Sequence, residues 1–212
     1  MRSTFGSSSP VRLLGAPAPA QAQPPGMDFA ERLSLWLNAF DAIGLQAAHQ
    51  SLRSLDAGAR AAPASRAPDV AEDLRRVRSV LAKAIAQPVD ASVGGYAPWH
   101  QRHLELQRQM EMMIAPLREH VRQAVGRVSP RLRQLAVLDA AFEQVLARRE
   151  QALLPKAVAL LRKRCEQQHA AGAPAADFAA DWQQALLAEL DLRLEPVAGL
   201  VEALDQESKH RA

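Results

Sequence analysis

The chain is poor in aromatic residues, lysine and cysteine, and it carries no long apolar run and no strand-like alternation of apolar and polar residues. Each shortage removes a class of protein. Aromatics make up 4% of a sequence that is 48% hydrophobic, much of it alanine, so the interior favours close helix–helix approach over a ring-filled core. Cys165 is the single cysteine, which excludes an intramolecular disulfide and fits a reducing compartment. No window approaches the ~20 apolar residues of a membrane-spanning helix. Residues 1–26 mimic a secretion signal through Arg2, Leu13, Leu14 and the small residues from Ala16 to Ala22. Arg12, Gly15, Pro17 and Pro19 interrupt the apolar stretch of about 7–15 residues that such a signal needs. A cytoplasmic location is therefore expected.

Catalytic signatures are missing as well. The ten glycines are scattered, with only Gly94 and Gly95 adjacent, so no glycine-rich loop is available to cradle a phosphate. There is no His-Glu-x-x-His sequence and no nucleophile elbow, and no carboxylate pair is nominated by spacing. The expectation is a protein that is not an enzyme and needs no cofactor.

What the chain has in abundance is helical periodicity. Phe29, Leu33, Trp36, Phe40, Ile43 and Ala47 alternate steps of four and three, placing one apolar line along a helix. Asp28 and Glu31 stand at capping-box spacing before it, and Asp69 and Glu72 repeat that spacing before Val70, Leu74, Val77 and Leu81. A third line starts near Trp99 and runs His100, His103, Gln107, Met110, Ile114, Leu117, Val121, Ala124, Val128. Ser129 and Pro130 then supply an N-cap and a first-turn proline for a fourth helix through Leu132, Leu135, Leu138, Phe142, Val145, Leu146, Leu153, Val158, Leu161 and Cys165. Asp177 is expected to cap a last helix, with Leu187, Leu190, Leu194, Val197, Val201 and Leu204 on one line. Residues 1–27, rich in proline and alanine, read as a disordered or flexible lead, and 57–68 and 88–98 as further breaks.

Three of the lines pass a proline, at Pro116, Pro155 and Pro196, without losing phase. An interior proline costs about 3 kcal/mol, whereas each buried Leu-sized side chain contributes about 1.5–3 kcal/mol. Apolar residues on both sides therefore hold such a helix together, and it should bend instead of ending. The fold expected is all-α: five or six amphipathic helices in a bundle spanning 28–212, several kinked at proline, with a subdivision at 28–98 and 99–212 left open.

Functional candidates lie on these helices. His100 and His103 fall three apart on one line and are the only metal candidates, but neither is followed by a His, Cys, Asp or Glu at i+4, and His120 lies off the line. Charge is uneven: 1–98 hold ten Lys/Arg against eight Asp/Glu, 99–168 thirteen against seven, and 169–212 three against eight. Arg118, Arg122, Arg127, Arg131 and Arg133 gather around Ser129, a pattern open to nucleic acid, although acids are interleaved and stacking aromatics are absent. Met110 and Met113, with Met112, form a cluster suited to an adaptable contact surface, and Glu189, Glu195 and Glu202 mark an acidic C-terminal face.

Several strings together resemble a family. These are Ser3-Thr4-Phe5 with Ser7-Ser8-Ser9 and Val11-Arg12-Leu13-Leu14, then Phe29-Ala30-Glu31-Arg32-Leu33 with Trp36-Leu37, then Ser129-Pro130-Arg131-Leu132-Arg133-Gln134-Leu135-Ala136, and finally the run from Leu192 to Leu204. They are similar to an uncharacterised bacterial family, all-helical and without an established activity, and the likeness covers nearly the whole chain. After Leu14 that family continues a helix, whereas residues 15–25 here are rich in breakers. The resemblance implies an accessory subunit of a cell-envelope-associated assembly. The expected function is accordingly a scaffold or adaptor acting through contact with another protein or with itself, without membrane insertion. The alternatives are nucleic-acid association through the arginines and a helical metal protein or enzyme using His100 and His103.

Overall fold

A computed structural model describes residues 39–56, 69–90, 95–172 and 174–211. Five helices account for nearly all of them, and no strand occurs among the described residues: α1 (Ala39–Asp56), α2 (Val70–Ile85), α3 (Ala97–Gly126), α4 (Pro130–Ala170) and α5 (Ala175–Arg211). The expected all-α class is the observed one. The lead segment 1–27, the Asp28–Glu31 cap, Trp36 and the break at 57–68 lie outside the described residues.

Local sequence accounts for the helix ends. Asp69 immediately precedes α2, the N-cap position expected of it. Ser129 Oγ accepts the Leu132 amide at 3.2 Å, and Pro130 is the first residue of α4, so cap and first-turn proline both act as their chemistry dictates. Gly172 follows α4 with φ +68, a left-handed conformation that glycine adopts without the Cβ penalty, and its amide reaches His169 O at 3.1 Å. One boundary differs from expectation. The last helix opens at Ala175, with Pro174 O accepting the Asp177 amide at 3.0 Å, so Asp177 lies inside the first turn and not at the cap. Proline ahead of the helix starts it earlier, and a carboxylate in the first turn still favours the positive helix end.

Each of Pro116, Pro155 and Pro196 lies inside one continuous helix, in α3, α4 and α5 respectively. Pro116 and Pro155 are exposed, and Pro196 is half-buried. The carbonyls they leave without an amide donor belong to Met112, Gln151 and Leu192, four residues earlier. Met112 and Leu192 are themselves exposed, placing the broken backbone bond on the side of the helix where water can take it.

The described residues fall into two compact units built from non-contiguous stretches. Unit 1 takes Ala71–Arg118 and Ala152–Ala198; unit 2 takes α1, Asp69, Val70, Glu119–Gln151 and the chain from Gly199 onward. The core of unit 1 is Leu81, Ile85, Trp99, Leu106, Met110, Ile114, Leu117, Leu161, Phe178, Trp182, Leu186, Leu190, Leu194 and Val197. In unit 2, Val121, Ala124, Val125, Leu132, Ala136, Leu200, Val201 and Leu204 are buried, and α1 adds Ala48 and the polar Asp41.

One apolar line is rotated from its expected position, and two others depart from theirs at the first residue, while the rest of each is buried or half-buried as expected. In α1 the inward line is Asp41, Leu45, Ala48, Leu52, while Ile43 is 63% exposed and Ala47 faces out. An alanine-rich helix offers two stripes of nearly equal hydrophobicity, and periodicity alone does not choose between them. At the start of α3 the buried residues are Trp99, His103, Leu106 and Met110, which leaves His100 exposed, because the indole claims the inward position next to it. In α5 the line begins Phe178, Trp182, Leu186, Leu190, so Leu187 is exposed.

Removing the buried α4 cap tests this account of the helix ends: Ser129→Ala should lower stability by about 1 kcal/mol in urea unfolding, with helicity retained. A neutral result would mean the Leu132 amide finds another acceptor at no cost.

Candidate functional site

The principal polar centre of unit 1 grows from one choice of residues on α3 and α5. His103 and Gln107 are four apart on α3 and share its inward side, and Glu189 and Arg193 are four apart on α5. Glu189 Oε1 accepts Arg193 Nε at 3.0 Å and Nη2 at 2.9 Å, and Gln107 Nε2 donates to Oε1 and Oε2 at 3.0 and 3.3 Å. His103 lies beside them at 2% exposure, its Nε2 3.7 Å from Glu189 Oε2. Neither ring nitrogen has a hydrogen-bond partner, nor does Trp182 Nε1 nearby. Burial pushes the His103 imidazole below the ordinary histidine range; Glu189 pulls it back up, and His100 and Arg193 push it further down.

Aromatic rings wall this centre. Trp182 packs edge-to-face on Trp99 at 5.2 Å and on His103 at 6.4 Å, and Phe178 meets Trp99 at 5.2 Å and Tyr96 at 6.2 Å. Such pairs each add about 0.5–1.5 kcal/mol beyond their area, and four of the chain's nine aromatic residues, Tyr96, Trp99, Phe178 and Trp182, meet here. Tyr96 donates to Val158 O at 3.3 Å and stacks on the exposed His100 ring at 5.9 Å. Burial raises the Tyr96 hydroxyl to about 12, with Cys165 adding to the rise and Arg162 opposing it. Cys165 is itself raised, first by burial and then by Glu166, so the lysine and arginines near it do not produce a reactive thiolate. Elsewhere in the unit, Arg164 binds Asp181 at 2.7 Å, Arg102 donates to Ala84 O at 3.0 Å, and Arg78 meets Asp191 at 2.8 Å on the surface.

In unit 2 the polar centre is Arg122, 14% exposed and fanned across three carboxylates: Glu119 at 3.3 Å, Asp139 at 3.1 Å and Glu143 at 2.5 Å. The planar guanidinium presents five N–H donors in a fixed fork, which spans several carboxylates at defined angles where a lysine offers a compact point charge with three rotatable donors. Arg133 folds back onto Gly126 O at 3.2 Å, and a Cβ on Gly126 would stand 3.8 Å from Ala136.

The candidates named from sequence thus separate. Met110 is fully buried and offers no contact surface, Met113 is half-buried, and Met112 is 76% exposed. Arg122 and Glu189 are internal ion-pair partners in place of docking charges, since each is held from two or more directions. Arg118 and Arg133 are half-buried; Arg127, Arg131, Glu195 and Glu202 are exposed. Of His100 and His103 one is exposed and the other buried, and no group of three or more His, Cys, Asp or Glu side chains able to hold a metal ion occurs among the described residues. Gln107, Arg193, Asp139 and Glu143 were not among the candidate site residues. The available signal was spacing: polar residues four apart on an otherwise apolar line require a polar partner opposite.

The class this geometry defines is an all-α protein with an ion-paired polar centre in each of two cores. The chain belongs to the family described as protein of unknown function (DUF3348), matched over residues 1–206. No curated protein and no solved structure matches it.

The two kinds of ion pair make opposite predictions. Arg122→Ala leaves half-buried carboxylates crowded together and should cost about 3 kcal/mol in urea unfolding. Arg78→Ala, at an exposed pair, should cost under about 1 kcal/mol. Equal losses would refute the assignment of Arg122 as an internal cross-link.

Proposed function

We propose that the protein is a non-enzymatic helical adaptor of the cytoplasm that works by docking another protein. The observation that carries this reading is Met112, 76% exposed on α3, in a molecule whose internal charges are already paired. An unbranched, polarisable side chain left in water adapts to an apolar partner at little conformational cost. Leu104 on the same helix, and Leu192 and Leu187 on α5, are also exposed apolar side chains of unit 1. No helix among the described residues is long and apolar enough to cross a membrane, which fits a partner met outside the bilayer. The same proposal includes service as an accessory subunit of a cell-envelope-associated assembly.

A second reading draws on Arg127 and Arg131, exposed at the turn between α3 and α4 in unit 2. They are the arginines of the basic cluster best placed to meet a phosphate backbone. The reading is weaker, because Arg122 of that cluster is neutralised internally.

Met112→Asp should reduce recovery of the co-purifying partner from the native cell at least tenfold while leaving the thermal midpoint unchanged; recovery equal to that of the unaltered protein would refute docking at this surface. Arg127→Glu with Arg131→Glu should leave the same recovery intact, and a salt-sensitive gel shift of nonspecific DNA that this double variant abolishes would favour the second reading.

A further inference from the structure

A buried histidine that no catalytic role explains needs its own account. His103 is nearly inaccessible, packed on Trp182, with both ring nitrogens unpartnered, and its one acidic neighbour is 3.7 Å away. That neighbour is already occupied: Glu189 holds Arg193 and Gln107 through contacts of 2.9–3.3 Å. The charges acting on the ring are Glu189 and Arg193 from α5 and His100 from α3 itself, and α2 and α4 supply none of them. A proton taken up by His103 therefore arrives in a site closed to solvent, in the field of Arg193, with the nearest carboxylate oxygen 3.7 Å away, beyond hydrogen-bond reach, and already accepting Gln107. The least costly way to solvate that charge is to part α3 from α5.

We propose that His103 and Glu189 form an acid-operated release between α3 and α5 of unit 1, closed while the imidazole is neutral and opened when it gains a proton. The sign follows from linkage. Because the ring binds its proton less readily folded than unfolded, its contribution to stability is complete above the ordinary histidine value of ~6.5 and is lost as pH falls through the folded value. For one such group the unfolding constant rises by at most about tenfold per pH unit across that window. The release goes beyond the adaptor reading and does not depend on it, since it concerns unit 1 without any partner.

The test uses the full chain. Histidine ring resonances followed by NMR should show His103 titrating below the free-histidine midpoint, and lower still in Glu189→Gln, which withdraws the favourable charge but keeps the ring. Amide exchange, corrected for the intrinsic pH dependence, should accelerate between pH 7.5 and 5.5 in 99–110 and 182–190 while 121–125 stays protected. His103→Phe should abolish that local acceleration. A His103 midpoint at or above that of free histidine, acceleration spread evenly over the helices, or acceleration unchanged in His103→Phe would each overturn the proposal. If His103→Phe does not fold, the wild-type titration and the Glu189→Gln shift decide it.

Discussion

Three long helices each give up one backbone hydrogen bond to a proline, and the architecture depends on their surviving it. The loss is about 3 kcal/mol per site, comparable with burying one or two Leu-sized side chains. In α3, Ile114 and Leu117 are buried on either side of Pro116, and in α5 Leu194 and Val197 flank Pro196. The proline faces outward or lies half-covered, and the residues behind the freed carbonyls at Met112 and Leu192 face outward too. Apolar phase is thus preserved on the inner side while the defect stays on the outer side. Each proline also lies close in sequence to the point where its helix passes from one unit to the other: Pro116 near Arg118, Pro155 near Ala152, Pro196 near Ala198.

With packing set by those lines, each core holds a polar arrangement that is costly to bury. In unit 2 it centres on Arg122, whose fork reaches several carboxylates at once. Unit 1 surrounds Glu189 with donors and then places an uncharged imidazole just beyond their reach. The difference is one of completeness. The arginine centre joins a cation to three carboxylates and so ties α3 to α4 in unit 2, although its Nε lacks a well-aligned hydrogen bond; in the histidine centre both ring nitrogens are left without a partner.

Periodicity and capping chemistry made the helical class, the Ser129–Pro130 junction and the passage of helices through proline legible from residue order alone. They did not decide which side of α1 turns inward, because its alanines give neighbouring stripes almost equal weight. Nor did they separate Met110 from Met112, two positions apart with opposite fates, since a methionine fills a core or coats a surface equally well. The polar centres were half legible. His103 and Gln107 stood out on an apolar line, but Glu189, which both meet, lies more than 80 positions away on another helix. Nothing local in the chain announces such a meeting.

Lysine scarcity gives the ionic framework a particular chemical character. In every ion pair described above the cation is a guanidinium, and the four lysines, Lys83, Lys156, Lys163 and Lys209, take part in none of them. Acetylation neutralises primary amines and passes guanidinium groups by. The electrostatic skeleton of both cores is therefore built from groups that lysine-directed acyl transfer does not reach, so such modification can recolour the exterior of the molecule without touching what holds it together.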